Sequence, residues 1–161
     1  MKQSISLQLN LAEIIYDIQN KTYLTGRSIS NGTPTSHIAN MQANDDDENA
    51  AQILRSITTA LAALRNRLAE YLSPEGSTCT NNSLSEKDDI ALSLSMPSNF
   101  NASVNNTIGE AAHQFIVASA IADWFAITAK DETTDYTEIA SKSIAIIEEA
   151  LCKRSRPSRS E

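Results

Sequence analysis

One segment, from about Ser103 to Lys130, is apolar on almost every side when it is placed on a helical wheel. A helix that is apolar nearly all round is buried among several other elements. The segment therefore predicts a central helix around which the rest of the chain packs. Its large or apolar side chains cover one face, the opposite face and the strip between them: Ile108, Ala112, Phe115, Ile116, Val117, Ile121, Trp124, Phe125 and Ile127.

Three further segments repeat apolar residues every three to four positions, which is typical of helices that are buried on one side. The first begins after Asn10, which with Glu13 resembles a capping box, and is predicted to stop at Gly26. The second runs from about Asn49 to Leu72, and the third from Asp135 to Lys153. The short connection before the third helix predicts that it packs antiparallel to the central one.

Apolar and polar residues alternate at 4–9 and again at 90–96, which is the period of a β-strand. These two strands are predicted to pair either with each other or with a neighbouring subunit. An isolated two-stranded ribbon is only marginally stable, and pairing across subunits would solve that problem in an oligomer. The predicted fold class is therefore mainly α: a bundle of about four helices with a central buried helix and one or two short β-strands.

The length of 161 residues suits a single domain. We expect this helical domain to cover residues 1–153, with long polar loops at 27–44 and 73–89. Residues 154–161 form a basic C-terminal tail, whose cations either offset the dipole of the last helix or belong to an arm that docks on an acidic partner.

The net charge of −7 disfavours non-specific adhesion to nucleic acid or to an anionic membrane. The most apolar run, from Phe115 to Ala129, is too short to span a bilayer and contains Asp123. The N-terminus lacks the continuous apolar core of a signal peptide, so we expect a soluble, unexported protein. Cys79 and Cys152 are then expected to be free thiols.

The residue pattern points to no catalytic chemistry. His37 and His113 are the only histidines, and neither lies at metal-ligand spacing. The glycines form no phosphate-binding motif, and no serine lies in a nucleophile elbow. We therefore predict a protein that is not an enzyme, with no catalytic residue, no metal and no cofactor. His113 and Asp123 are interpreted as satisfied polar groups of the core or of an interface, because a polar or charged group on a largely buried helix needs a partner.

The acidic run Asp45-Asp46-Asp47-Glu48 precedes the second long helix. Carboxylates at a helix N-terminus interact favourably with its partial positive charge, and this interpretation is favoured. A cation site is the alternative, although the glycine and glutamate positions of a calcium-binding loop are absent. A small metal-dependent hydrolase that uses this run is the least favoured hypothesis for function.

Three segments carry a family resemblance: 15–24 with Gly26 and Arg27, 94–101, and 153–157. Together they resemble a group of small uncharacterised proteins that are encoded among the virion-structure genes of phages and prophages of gut bacteria. Separately, the helical hairpin that contains His113 and Trp124-Phe125 resembles the helical head–tail connector (adaptor) proteins of tailed phages. Neither resemblance carries catalytic residues.

The resemblance implies a ring-forming virion protein that links portal and tail. Its partners would be further copies of the same chain, the portal, and tail or neighbouring neck proteins, with DNA passing through the channel without sequence-specific binding and with no membrane. The alternative is a cytosolic helical protein–protein interaction or regulatory module. The residues predicted to bind partners are Arg27, His37, Arg154, Arg156 and Arg159.

Overall fold

The computed structural model describes residues 1–29 and 35–159. Within them the chain forms a mainly α-helical fold with one two-stranded sheet, as the sequence predicted. The elements, in chain order, are β1 (Lys2–Leu9), α1 (Leu11–Ser28), α2 (Thr35–Met41), α3 (Asp47–Arg67), β2 (Ile90–Pro97), α4 (Asn105–Thr128) and α5 (Thr133–Leu151). Short 3-10 turns, Ala102–Val104 and Lys130–Glu132, precede α4 and α5.

Helix α4 is the predicted central helix, and α1, α3 and α5 all pack against it. Its buried residues include Ile108, Ile116 and Ile121, which point in different directions around the helix. The prediction for Ile127 is wrong, because this side chain is 68% exposed. It lies in the last turn of α4 and borders a surface groove beside His37 instead of a neighbouring helix.

Helix α1 starts as predicted, with the Asn10 side chain accepting hydrogen bonds from the backbone N–H groups of Ala12 and Glu13. It does not stop at Gly26. A Cβ atom at Gly26 would lie 3.3 Å from Cγ2 of Ile38, so the glycine permits the close approach of α2. The prediction of one long loop at 27–44 is accordingly wrong over α2, whereas residues 30–34 lie outside the described residues.

Helix α3 ends at Arg67 and not at Leu72 as the periodicity predicted. The reason is a competing set of backbone hydrogen bonds. The N–H of Ser95 donates to the carbonyl of Tyr71, and the N–H of Ser73 donates to the carbonyl of Ser93. Residues 71–73 therefore leave the helix and cover part of the outer edge of β2.

Strands β1 and β2 pair with each other in an antiparallel ladder in which Ile5 lies opposite Leu94 and Leu7 lies opposite Leu92. Their pairing is within one chain, which decides between the two alternatives that the sequence left open. One face of the sheet is buried against the helices, while the serines between the apolar residues face outward. No second strand pairs with the outer edge of β1 within residues 1–29 and 35–159.

The start of the predicted basic tail is held by the chain itself. The N–H of Asn101 donates to the carbonyl of Lys153, and the N–H of Ser155 donates to the carbonyl of Asn99. Arg154 also donates from its guanidinium to the carbonyls of Leu151 and Lys153 at the end of α5. For Arg154, these contacts support the alternative in which cations interact with the end of the last helix, and the exposed arm of residues 156–159 follows it.

Candidate functional site

A surface groove of about 810 Å³ lies between β1, the first half of α1 and the first half of α4. The last residues of β1 line it on one side, and residues of the two helices line the rest. We call it the acidic groove. Its polar lining includes Ser6, Gln8, Glu13, Asp17, Glu110 and His113.

The Asp17–His113 pair lies inside this groove and joins α1 to α4. Oδ2 of Asp17 is 2.6 Å from Nε2 of His113, and the two side chains are 33% and 15% exposed. The sequence predicted that His113 needs a partner, and this prediction is confirmed. It did not identify Asp17, because the two residues are 96 positions apart and only the packing of α1 on α4 brings them together.

The charge of the groove is negative. Glu13, Asp17 and Glu110 line it, and Glu13 and Glu110 are exposed. Neither lysine nor arginine is among the lining residues. Across the described part of the chain, no three His, Cys, Asp or Glu side chains are grouped so that they could hold a metal ion. The groove is therefore suited to a positively charged ligand that spans its length.

The wall formed by β1 also offers backbone hydrogen-bonding groups. In an antiparallel ladder, successive residues direct their N–H and C=O groups to opposite sides of the strand. Ser93 and Ser95 of β2 direct their backbone N–H and C=O groups toward residues 71–73, so those of Leu92 and Leu94 face β1. The backbone groups of their partners in β1, Ile5 and Leu7, face β2 in turn. The N–H and C=O groups of Ser6 and Gln8 consequently point outward, along the edge that borders the groove.

The residues that the sequence predicted to bind partners do not line the acidic groove. Arg27 and His37 lie at the end of the bundle where α4 finishes. The guanidinium carbon of Arg27 is 5.7 Å from the centre of the Tyr23 ring, and His37 is exposed beside Ile127 and Lys130.

The predicted arginines of the tail lie at the opposite end of the bundle. Arg154 forms an isolated β-bridge with Phe100, just before α4 begins, and Arg156 and Arg159 follow it as exposed residues. Helix α4 has 24 residues. At a rise of 1.5 Å per residue this helix is about 36 Å long, so the two groups of predicted partner-binding residues form two surfaces and not one site.

The acidic run at 45–48 is exposed at the start of α3, where Asp47 and Glu48 occupy the first helical turn. This placement agrees with the favoured interpretation, in which carboxylates interact with the helix N-terminus. Asp45 accepts a hydrogen bond of 2.5 Å from Nε2 of Gln19. The run thus helps to connect α3 to α1.

Asp123 is exposed, so its interpretation as a core group is wrong, although its need for a partner is met. Oγ of Ser56 donates a hydrogen bond of 2.7 Å to its Oδ2 atom. The two residues lie in a shallow depression between α3, α4 and α5 that is lined mainly by alanine and threonine. Small side chains at these positions let water reach Asp123, which the periodicity of α4 could not indicate.

Comparison with known proteins leaves the family open: no protein-family model, no curated protein and no solved structure matches the chain. None of the helices in the described part of the chain has the length and apolar character that are needed to cross a membrane.

Proposed function

We propose that this protein is a non-enzymatic structural protein of a tailed-phage virion, a ring-forming neck or head–tail adaptor that links portal and tail. Two kinds of support exist. The segments 15–24, 94–101 and 153–157 resemble small virion proteins of phages and prophages. The mainly helical fold, with its central helix and antiparallel closing helix, is compatible with the helical connector proteins that the same sequence resembles.

The observation that carries the proposal is the exposure of large apolar side chains on two outer helices. Tyr16, Tyr23 and Leu24 of α1 are 64%, 44% and 49% exposed. Ile139 and Ile146 of α5, two helical turns apart, are 40% and 46% exposed. Exposed apolar side chains that recur on one helix face favour contact with other polypeptides. A ring needs such contacts on two sides of every subunit, because its interfaces join different surfaces of adjacent copies.

The distribution of charge supports contacts above and below such a ring. One pair of predicted partner-binding residues, Arg27 with His37, lies at one end of the bundle, and Arg156 with Arg159 lies at the other. The net charge of −7 would let DNA move through a channel without adhering to its wall. In this proposal the protein acts by packing and by charge, in the virion, and not by chemistry.

Electron microscopy of the purified protein, alone and mixed with portal from the same phage genome, tests the proposal. We expect closed rings or added density on the portal. A chain that stays monomeric and ignores portal and tail components would contradict it. That result would favour the alternative, a cytosolic helical interaction or regulatory module, since the same exposed apolar residues could then serve another partner.

A further inference from the structure

Among the described residues, no strand pairs with the outer edge of β1, which borders the acidic groove. Ser6 and Gln8 direct their N–H and C=O groups into the acidic groove, and a strand laid along this edge would satisfy them. Open strand edges that other proteins recognise bind extended peptides in this way, with main-chain hydrogen bonds giving affinity and side-chain contacts giving specificity.

The charge of the groove selects a basic occupant. Three carboxylates, of Glu13, Asp17 and Glu110, line it. Beyond the last helix, the described residues continue into a basic arm that carries Arg156 and Arg159. Both arginines are exposed in their own chain, and neither lines its own groove. The negative charge of the groove favours this arm, and because the arm lies outside the groove of its own chain, the occupant would be the arm of another copy.

Pro157 determines how the arm can pair. Proline has no N–H, so in an added strand its backbone must face away from the partner strand. Arg156 and Ser158 then direct their backbone groups toward β1, opposite Ser6 and Gln8. Because side chains alternate between the two faces of a sheet, Arg159 of the added strand would point to the same side as Leu7, toward the helices whose carboxylates line the groove. The proline also leaves an outer edge that resists further strand addition.

We propose that the acidic groove binds residues 156–159 of a second copy of this chain, as an added strand on the free edge of β1. The contact joins the end of one subunit to the side of the next, and such head-to-tail contacts form a ring when the rotation between successive copies closes. The inference rests on the proposed assembly function, for which it names the segment that links adjacent subunits.

Thiol cross-linking between two different single-cysteine chains tests this contact. Both chains carry Cys79→Ser and Cys152→Ser, which remove the exposed natural thiols. One chain also carries Gln8→Cys, and the other carries Ser158→Cys. Because each chain holds a single thiol, a short bis-maleimide can join Gln8→Cys to Ser158→Cys only between chains. The mixture should yield a covalent heterodimer on a denaturing gel.

The matched control replaces Gln8→Cys by Ala145→Cys, at an exposed position of α5 away from the groove. Arg159→Glu in the arm should reduce the heterodimer to the level of this control, whereas Arg159→Lys should retain it. Raising the ionic strength from about 0.1 M to about 1 M shortens the screening length from ~10 Å to ~3 Å. It should therefore weaken the contact between the arm and the groove and lower the yield of the heterodimer. Circular dichroism melting of each variant checks that it is folded.

A heterodimer yield that does not exceed the Ala145→Cys control, or that Arg159→Glu leaves unchanged, overturns the inference. The result is independent of the test of function. Portal binding by a chain that shows no groove cross-link would leave the adaptor function standing and remove this contact. Cross-linking by a chain that ignores portal would confirm the contact and contradict the adaptor function.

Discussion

Oδ2 of Asp17 lies 2.6 Å from Nε2 of His113, and this contact joins the first helix to the central helix inside the acidic groove. The His113 side chain is 15% exposed, so its ring depends on Asp17 more than on water for a hydrogen-bonding partner.

Asp17→Ala should destabilise the protein by about 1 kcal/mol. Hydrogen bonds to charged groups contribute more than this when buried, and the partial exposure of Asp17 reduces the effect. Urea unfolding followed by circular dichroism measures the change. Glu110→Ala, which removes an exposed carboxylate of the same groove, is the matched control and should leave the midpoint nearly unchanged. Equal midpoints for the two variants would show that the Asp17–His113 contact contributes nothing to stability.

Thr22→Val should cost about 1–3 kcal/mol, although it conserves the shape of the side chain. Thr22 is fully buried, and its Oγ1 atom accepts a hydrogen bond of 3.1 Å from the backbone N–H of Ala43. Valine leaves this buried N–H without an acceptor. Thr137→Val is the control, because Thr137 is exposed and its hydroxyl bonds only to its own helix at Thr133. Thermal melting of both variants compares them, and a control variant that loses as much stability would contradict the explanation.

The two helical glycines that the structure describes should respond in opposite directions to a larger side chain. Gly109→Ala should stabilise the protein by roughly 0.5–1 kcal/mol, because alanine is the better helix former and its Cβ would meet only Cδ1 of Leu7, at 3.9 Å. Gly26→Leu should destabilise it by about 1–3 kcal/mol, since Ile38 already lies within 3.3 Å of a Cβ at Gly26 and α2 would have to move. Chemical denaturation of both variants measures the sign of the change in the free energy of unfolding for each. A stabilised Gly26→Leu variant would contradict the close packing of α1 on α2.

Replacing the exposed isoleucines of α5 should affect assembly and not folding. Ile139→Lys combined with Ile146→Lys removes two exposed apolar side chains, so we expect the free energy of unfolding to change by less than about 0.5 kcal/mol. Rings or portal complexes should be lost, as seen by mass photometry. Ser141→Lys with Ala145→Lys, at exposed positions of the same helix, adds the same two positive charges and is the control. Assembly that survives the isoleucine change would exclude this face from the interface.

The candidate site was only partly predictable. The need of His113 for a polar partner followed from its position on an apolar helix, but the groove around it did not. It forms where α1, α4 and the edge of β1 meet, and Asp17 and Glu110 reach it from helices that are far apart in sequence. No pattern within a single segment of the sequence indicates that these residues lie close together.

The period of apolar residues and the capping side chains are local signals. They were sufficient to predict the central helix, the other long helices, the cap at Asn10 and the two strands. Such signals indicate which side of a helix or strand is buried, but they do not indicate which other element packs against that side. Three features follow only from the packing of the chain. Gly26 permits the close approach of α2, and α3 ends early because the residues after it form hydrogen bonds with β2. The predicted partner-binding residues lie at opposite ends of the bundle. Each of these outcomes depends on contacts between residues distant in the chain, where packing and backbone hydrogen bonds outweigh local preference.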